Sequence, residues 1–259
     1  MGDQAIEPLN LPASAAVRAL LLDVEGTTTP IDFVFKTLFP FAAAHAESFL
    51  REHSEDPETR EIIADLRQTW SGASAAGAPV WIETTPGEKL SSAAAYVRWL
   101  IARDSKMTPL KTLEGKIWEA GFHAGQLKGE VYPDVAPALA RWRSQGRRLA
   151  IFSSGSVLAQ KLLFTHSTAG DLSLCLDAYF DTTTGSKREA ASYQKIASAV
   201  GLEAREILFV SDVGEELDAA ARAQMRTALS VRPGAALPAT PAHARISSFD
   251  QLFPNAPAG

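Results

Sequence analysis

Cysteine is almost missing from this chain: Cys175 is the single one in 259 residues, so no intrachain disulfide forms. One thiol cannot build a thiolate metal site, and no Cys-His signature accompanies it. Cys175 is therefore expected to be a small buried hydrophobe. The histidines at 45, 53, 123, 166 and 243 show no H-E-x-x-H spacing, which argues against a zinc hydrolase. No apolar stretch approaches the roughly 20 residues of a membrane span. The opening residues MGDQAIEPLNLPAS have neither the basic start nor the apolar middle of a secretory signal. Positive charge is not in excess either: 25 Lys and Arg against 30 Asp and Glu leave a net −5. That removes the electrostatic footprint of a nucleic-acid or anionic-membrane binder. The expectation is a cytoplasmic monomer acting on a small molecule, with no nucleic-acid and no membrane partner.

What the chain does have is an abrupt boundary near its start. The apolar run Ala19-Leu20-Leu21-Leu22 stops at Asp23, and Glu25, Gly26 and three threonines follow. A short apolar run bounded by turn residues suits a buried parallel strand, here expected over Val17–Leu22. Alternation along an extended segment points Asp23 and Glu25 the same way, at the strand's C-terminal tip, where open α/β sheets bind ligands. Two carboxylates so close repel unless a cation or a shared proton intervenes, and hard oxygen donors suit Mg²⁺. A D-x-E alone is common, and Asp23 capping a turn with Glu25 solvated accounts for it equally well.

Beyond that loop the periodicity becomes helical from Phe33 to Gln126. Phe33–His53 is expected as one helix kinked or divided by Pro40. Asp56-Pro57 opens a second, with Ile62, Ile63, Leu66 and Trp70 on one face. Ser71–Pro79 reads as a loop. Ser91 or Ser92 caps a third helix, and Thr108-Pro109 opens a fourth that ends at Gly121. Four amphipathic helices with short links make a bundle, and their aromatics (Phe33, Phe35, Trp70, Trp99, Trp118) are core by default. From Glu130 strand and helix alternate: a helix after Pro133-Asp134 closed by Gly146, a strand Arg148–Phe152, a helix Val157–Phe164, and a strand at Tyr179-Phe180. Then come a helix Arg188–Val200, a strand Glu206–Val210, a helix to about Met225, a strand Thr227–Val231 and an ordered piece around Ile246–Phe253. This pattern predicts an α/β fold, a Rossmann-like parallel-sheet core with an inserted helical-bundle cap. Residues 1–16 form a flexible tail, 17–32 and 130–259 the core, and 33–129 the cap.

Each core strand ends in a different polar group. The first gives Asp23 and Glu25, the next Ser153, Ser154 and Gly155. A loop after the third gives Lys187, and the fourth gives Asp212 with Glu215 and Glu216 nearby. Each has an ordinary explanation by itself: a turn, a surface lysine, a helix N-cap. Parallel strands gather all four on one edge, and together they fit phosphoryl transfer to a carboxylate. Asp23 would attack phosphorus, with Mg²⁺ held by Asp23 and Asp212. Ser153 or Ser154 and backbone N–H groups would bind phosphate oxygens, and Lys187 would add a compact positive charge. Glu25 would protonate the leaving oxygen and later deprotonate water.

These residues resemble the haloacid-dehalogenase-like hydrolases, whose four motifs appear here in order, and the helical insertion resembles that superfamily's cap domain. The usual phosphatases carry Asp two residues after the nucleophile, where this chain has Glu25. DVEGTTTPIDFV, SSGS, TTTGSKREAASY and SDVGEELDAA look like the enolase-phosphatase E1 family of methionine salvage, over about Ala19–Val231. That resemblance implies one Mg²⁺ and the substrate 2,3-diketo-5-methylthiopentyl 1-phosphate, first enolised and then dephosphorylated to an acireductone. It implies metal positions at Asp23, Glu25 and Asp212, with Glu25 serving through its side chain, its backbone carbonyl or both. It implies substrate contacts at Ser153, Ser154 and Lys187, a cap aromatic against the methylthio end, and closure of the cap over the site. Glu25 is the candidate enolisation base, one methylene longer than Asp. The alternatives are another Mg²⁺-dependent phosphatase or phosphomutase of the superfamily, a metal-independent dehalogenase, and a catalytically dead phosphate-binding module.

Overall fold

The computed structural model describes residues 16–72, 77–235 and 243–255. The expected tail lies outside these residues apart from Ala16. Two compact units divide the chain, Met1–Ile31 with Lys128–Gly259 and Asp32–Leu127. Among the described residues no helix is long and apolar enough to cross a membrane.

The first unit holds a six-stranded sheet. Its strands are β1 (Ala19–Leu22), β2 (Arg148–Phe152), β3 (Ala178–Phe180), β4 (Ile207–Ser211), β5 (Arg226–Ser230) and β6 (Ala244–Ile246). The order is β3-β2-β1-β4-β5-β6 and every pairing is parallel. β1 lies between β2 and β4, with Leu21 opposite Ala150 and Phe209. All four β1 residues are buried. That is why this strand reads as an unbroken apolar run: a parallel strand covered on both faces has no polar alternation. The chain order turns at β1, with β2 and β3 on one side and β4, β5 and β6 on the other, a switch point of the kind that binds ligands.

The helices of this unit are α6 (Val135–Ser144), α7 (Val157–Thr165), α8 (Ala190–Val200) and α9 (Gly214–Arg222). Gly146 and Gly201, at φ 76° and 72°, follow α6 and α8 in the left-handed conformation that stops a helix. One face of the sheet packs Leu21, Phe152 and Phe209 against Tyr193 and Ile196 of α8 and Leu217 of α9. Trp142 of α6 stacks near Phe249, ring centroids 5.2 Å apart, and its indole N–H donates to the Leu252 carbonyl at 3.0 Å. β6 is an addition to the sequence reading, which had only an ordered piece there. Its three residues carry too short a pattern to announce a strand.

The second unit is helical: α1 (Ile31–Phe33), α2 (Phe39–Glu52), α3 (Pro57–Gly72), α4 (Pro86–Ile101) and α5 (Thr108–His123). The first expected helix changes character directly ahead of Pro40: a π-helical turn at Val34–Leu38 leads without a break into α2, whose second residue is Pro40. The expected loop from Ser71 is shortened, since α3 runs through Gly72.

Two expected helix ends are corrected. α4 starts at Pro86, not at Ser91 or Ser92. The Thr85 side chain accepts from the Glu88 amide at 3.2 Å while Glu88 accepts from the Thr85 amide at 2.9 Å, a reciprocal cap. Ser92 sits inside the helix and exchanges hydrogen bonds with the backbone of Ile82. Nor does Gly121 end α5. It lies within the helix because a side chain there would collide with Phe41, and the left-handed terminator is Gly125, at φ 70°. Phe33 and Trp118 are buried as expected, whereas Phe35 is half exposed.

Candidate active site

Asp23 follows directly on β1, its amide still donating to Val210 of β4 at 3.0 Å. Asp23 is only 2% exposed. A carboxylate there is stable only if paired. The Lys187 ammonium donates to Asp23 Oδ1 at 2.5 Å and to Glu216 Oε2 at 2.6 Å. Ser211, the last residue of β4, places its hydroxyl 3.0 Å from Glu216 Oε2 and 3.3 Å from Asp23 Oδ2. Burial alone would lower the Lys187 pKa, but Asp23 and Glu216 more than offset it and hold the ammonium above its usual range.

Lys187 is held from below by α8. The Tyr193 hydroxyl donates to the Lys187 carbonyl at 2.7 Å, and the fully buried Tyr193 ring packs between Phe152 and Phe209. The residue that presents the cation is thus anchored in the hydrophobic core.

Glu25 turns the other way. Its carboxylate meets Ser153, whose hydroxyl lies 3.2 and 3.4 Å from the two oxygens. The Gly155 amide donates to the same hydroxyl at 3.0 Å, so Ser153 has its proton free to give to Glu25. Burial and the Asp23 charge push the Glu25 carboxyl above its ordinary value. Ser154 faces outward, and its exposure contrasts with the buried Ser153. Gln160 of α7, itself buried, ties the loop down by donating to the carbonyls of Gly155 and Phe180, each at 2.9 Å.

Asp212 is raised to about 7 by burial and then by the charges of Asp23 and Glu216. Its Oδ1 is buried with no hydrogen-bond partner. Gly26, at φ 71°, lies against this carboxylate so closely that any Cβ would overlap it. The loop Val24–Thr29 is closed by three amides, those of Thr27, Thr28 and Thr29, donating to the Val24 carbonyl at 3.2, 2.9 and 2.9 Å.

Asp23, Lys187 and Asp212 therefore gather at the tips of β1 and β4, with Glu25 and Ser153 beside them and Ser154 directed outward. Among the described residues no three acidic, histidine or cysteine side chains converge closely enough to enclose an ion by themselves. The Glu25 carboxylate is taken up by Ser153. Glu216 and Ser211 are participants that the sequence reading gave no role. The signal was the double acid after Asp212, and helix phase divides it. Glu215 points outward to Arg188 at 2.9 Å while Glu216 turns in to Lys187.

A family profile described as haloacid dehalogenase-like hydrolase matches residues 17–224. Relatives named enolase-phosphatase E1 include one from Synechococcus elongatus, 50% identical over 93% of this chain and 100% of that protein. Another, from Pseudomonas syringae pv. tomato, is 48% identical over 92% of this chain and 98% of that protein. Among solved structures, the UTR4 protein of Saccharomyces cerevisiae is 33% identical with a TM-score of 0.74, covering 90% of this chain and 99% of that one. A dehalogenase structure aligns with a TM-score of 0.53 at 20% identity, over 96% of this chain and 100% of that one, a likeness of fold alone.

Proposed function

The chain belongs to the enolase-phosphatase E1 family of haloacid dehalogenase-like hydrolases, and on that premise we propose which of its residues carry the reaction. The activity enolises 2,3-diketo-5-methylthiopentyl 1-phosphate and then hydrolyses the phosphate, giving the acireductone 1,2-dihydroxy-3-keto-5-methylthiopentene of methionine salvage. The observation that carries the assignment of roles is the buried Asp23 carboxylate held 2.5 Å from Lys187 at the tip of the central strand.

Asp23 is the nucleophile. Its buried oxygen attacks phosphorus, the bond to the substrate's oxygen breaks, and the phosphoryl group rests on Asp23 until water displaces it. Lys187 holds the Asp23 carboxylate in place with a 2.5 Å ion pair, and it attracts the incoming phosphate. Ser153 and Ser154 bind phosphate oxygens. Glu25 takes the proton from the carbon next to a carbonyl in the first step, and its raised pKa makes it a better base than an exposed glutamate. The same carboxyl protonates the leaving oxygen and later takes a proton from the attacking water.

One Mg²⁺ fits this donor set. The buried Asp212 Oδ1 has no partner, and after burial the Asp23 charge pushes the Asp212 and Glu216 carboxyls up, which marks a place for a cation. Asp23, Asp212 and the Glu25 backbone carbonyl would hold the ion, which when bound offsets repulsion between carboxylates and phosphate.

Incubation with the diketo phosphate and Mg²⁺, following enol absorbance and free phosphate together with an EDTA control, tests this reading. Enol preceding phosphate, with both lost in EDTA, is the expected result. Phosphate without enol, or equal rates on simple esters, would move the chain to a general phosphatase. Turnover undiminished in EDTA would remove the metal from the scheme.

A further inference from the structure

Arg232 is 5% exposed, lies just beyond β5 and has no part in the chemistry above. Its guanidinium Nε and Nη2 both donate to the backbone carbonyl of Thr27, at 2.9 and 2.6 Å. Nη1 donates to Asp134 Oδ2 at 2.5 Å. The guanidinium lies against the rings of Tyr132 and Phe249, 4.3 and 4.5 Å from their centroids. Asp134 is the N-cap residue of α6, yet its side chain caps nothing there. It accepts instead from Arg232, from the Ser248 hydroxyl at 3.1 Å and from the Phe249 amide at 2.6 Å. The acid at the start of α6 thus holds a buried arginine in place of a helix cap.

Burying such an ion pair is weak ground for stability, since desolvation offsets most of the Coulomb gain. Its target is more informative. Thr27 follows Gly26, which abuts the Asp212 carboxylate, and lies two residues after Glu25. The Thr28 hydroxyl donates back to the Asp23 carbonyl at 3.1 Å, and the Tyr132 amide donates to the Thr28 carbonyl at 3.0 Å. The catalytic loop is thus bounded by Asp212 at Gly26 and by a rigid, two-pronged donor at Thr27. Lysine would supply a point charge there without the planar fork.

We propose that Arg232, held by Asp134, is a positioning residue that grips the Thr27 carbonyl and so fixes Glu25 and Gly26 against Asp212. The grip sets two things at once: the place of the enolisation base, and the spacing of the oxygen donors assigned to Mg²⁺. The inference rests on the enolase-phosphatase reading. The parent protein separates the two: if it turns over nothing, that reading fails first, whereas Mg²⁺ affinity addresses Arg232 without substrate.

The experiment compares Arg232→Met, Arg232→Lys and Asp134→Asn with the parent. It measures Mg²⁺ binding to the metal-free protein by calorimetry, enol and phosphate rates, and thermal melting. In Arg232→Met both kcat values should fall about tenfold or more with KM changed less than about threefold, because a misplaced loop loses alignment before binding. Mg²⁺ binding should weaken several-fold, and Arg232→Lys should recover only part of each loss. Asp134→Asn, which keeps an oxygen acceptor, should shift all three in the same direction by less. If Arg232→Met does not fold, the two conservative variants decide. The proposal is overturned if folded variants keep kcat and Mg²⁺ affinity within about twofold of the parent. It is equally overturned if the loss disappears on cooling to where the variant is fully folded, which would make the role structural.

Discussion

Asp23 and Glu25 stand two residues apart, but their surroundings give them separate work. Asp23 is paired with Lys187, while Glu25 is on Ser153 and biased toward its proton. Asp23→Asn should therefore keep enolisation and stop phosphate release, whereas Glu25→Gln should block the enol itself. Stopped-flow absorbance with a phosphate assay reads both, and equal loss of both steps in Asp23→Asn would assign Asp23 mainly to metal binding. Glu114 of α5 gives a second test, in the helical unit. It is 4% exposed, and its pKa is raised to about 7, chiefly by burial, with Lys106 opposing. The folded value lies above the ordinary 4.5, so the folded chain holds this proton more tightly than the unfolded one. No penalty exists at low pH, where both states are protonated. It grows as pH rises from the ordinary value to about 7 and is complete above that. Glu114→Gln should stabilise the chain by roughly 2 kcal/mol near pH 8 and by almost nothing near pH 4. Urea melts at the two pH values check it, and a gain that does not depend on pH would point to packing instead. At this scale the strand-end residues were legible because a parallel sheet gathers its C-terminal tips on one edge. Glu216 and Arg232 were not. Which of two adjacent acids turns inward depends on helix phase, and an arginine gripping a carbonyl 205 positions away leaves no local pattern.

Among the elements, α4 shows how a cap outranks an attractive serine. Thr85-Pro86-Gly87-Glu88 carries Thr and Glu three apart with proline at the first helical position, the full reciprocal signature. Ser91 and Ser92 also offer capping hydroxyls, but they lie a full turn inside the helix. Thr85→Ala should cost about 1 kcal/mol and speed amide exchange in the first turn of α4 before anywhere else in that helix. Hydrogen exchange checks it, and unchanged protection there would assign the start of α4 to packing. Strand ends were easier to read than helix ends. Arg148–Phe152 appears in the sheet as expected, because an apolar run bounded by Gly146 and Ser153 has only one way to be buried. Gly121 misled because a helix-ending glycine and a glycine needed for close packing look alike in sequence. Only the nearby Phe41 ring distinguishes them.

Over the whole molecule, the change from short apolar strand runs to helical periodicity and back predicted an insertion. Among the described residues, all six strands belong to the unit formed by residues 1–31 and 128–259. Within it the chain leaves and returns at neighbouring points, the Thr28 carbonyl accepting from the Tyr132 amide. Replacing residues 32–127 with a short Gly/Ser linker should therefore leave a sheet that melts cooperatively, read by circular dichroism in urea. A broad, non-cooperative loss would mean that the sheet depends on the helical unit. The central place of β1 also has a consequence in time. Ala19 pairs with Arg148 on one side and Ile207 on the other, so β1 is made ahead of both its neighbours and gains the second only when β4 is synthesised. At roughly 5–20 residues per second, its apolar side chains wait on the order of ten seconds or more for the second partner. The helices of residues 32–127, rich in local contacts, can form in that interval. A nascent chain stalled short of β4 should therefore hold a folded helical unit and a first strand with one sticky edge still unpaired, making that stage of synthesis the one most in need of a chaperone.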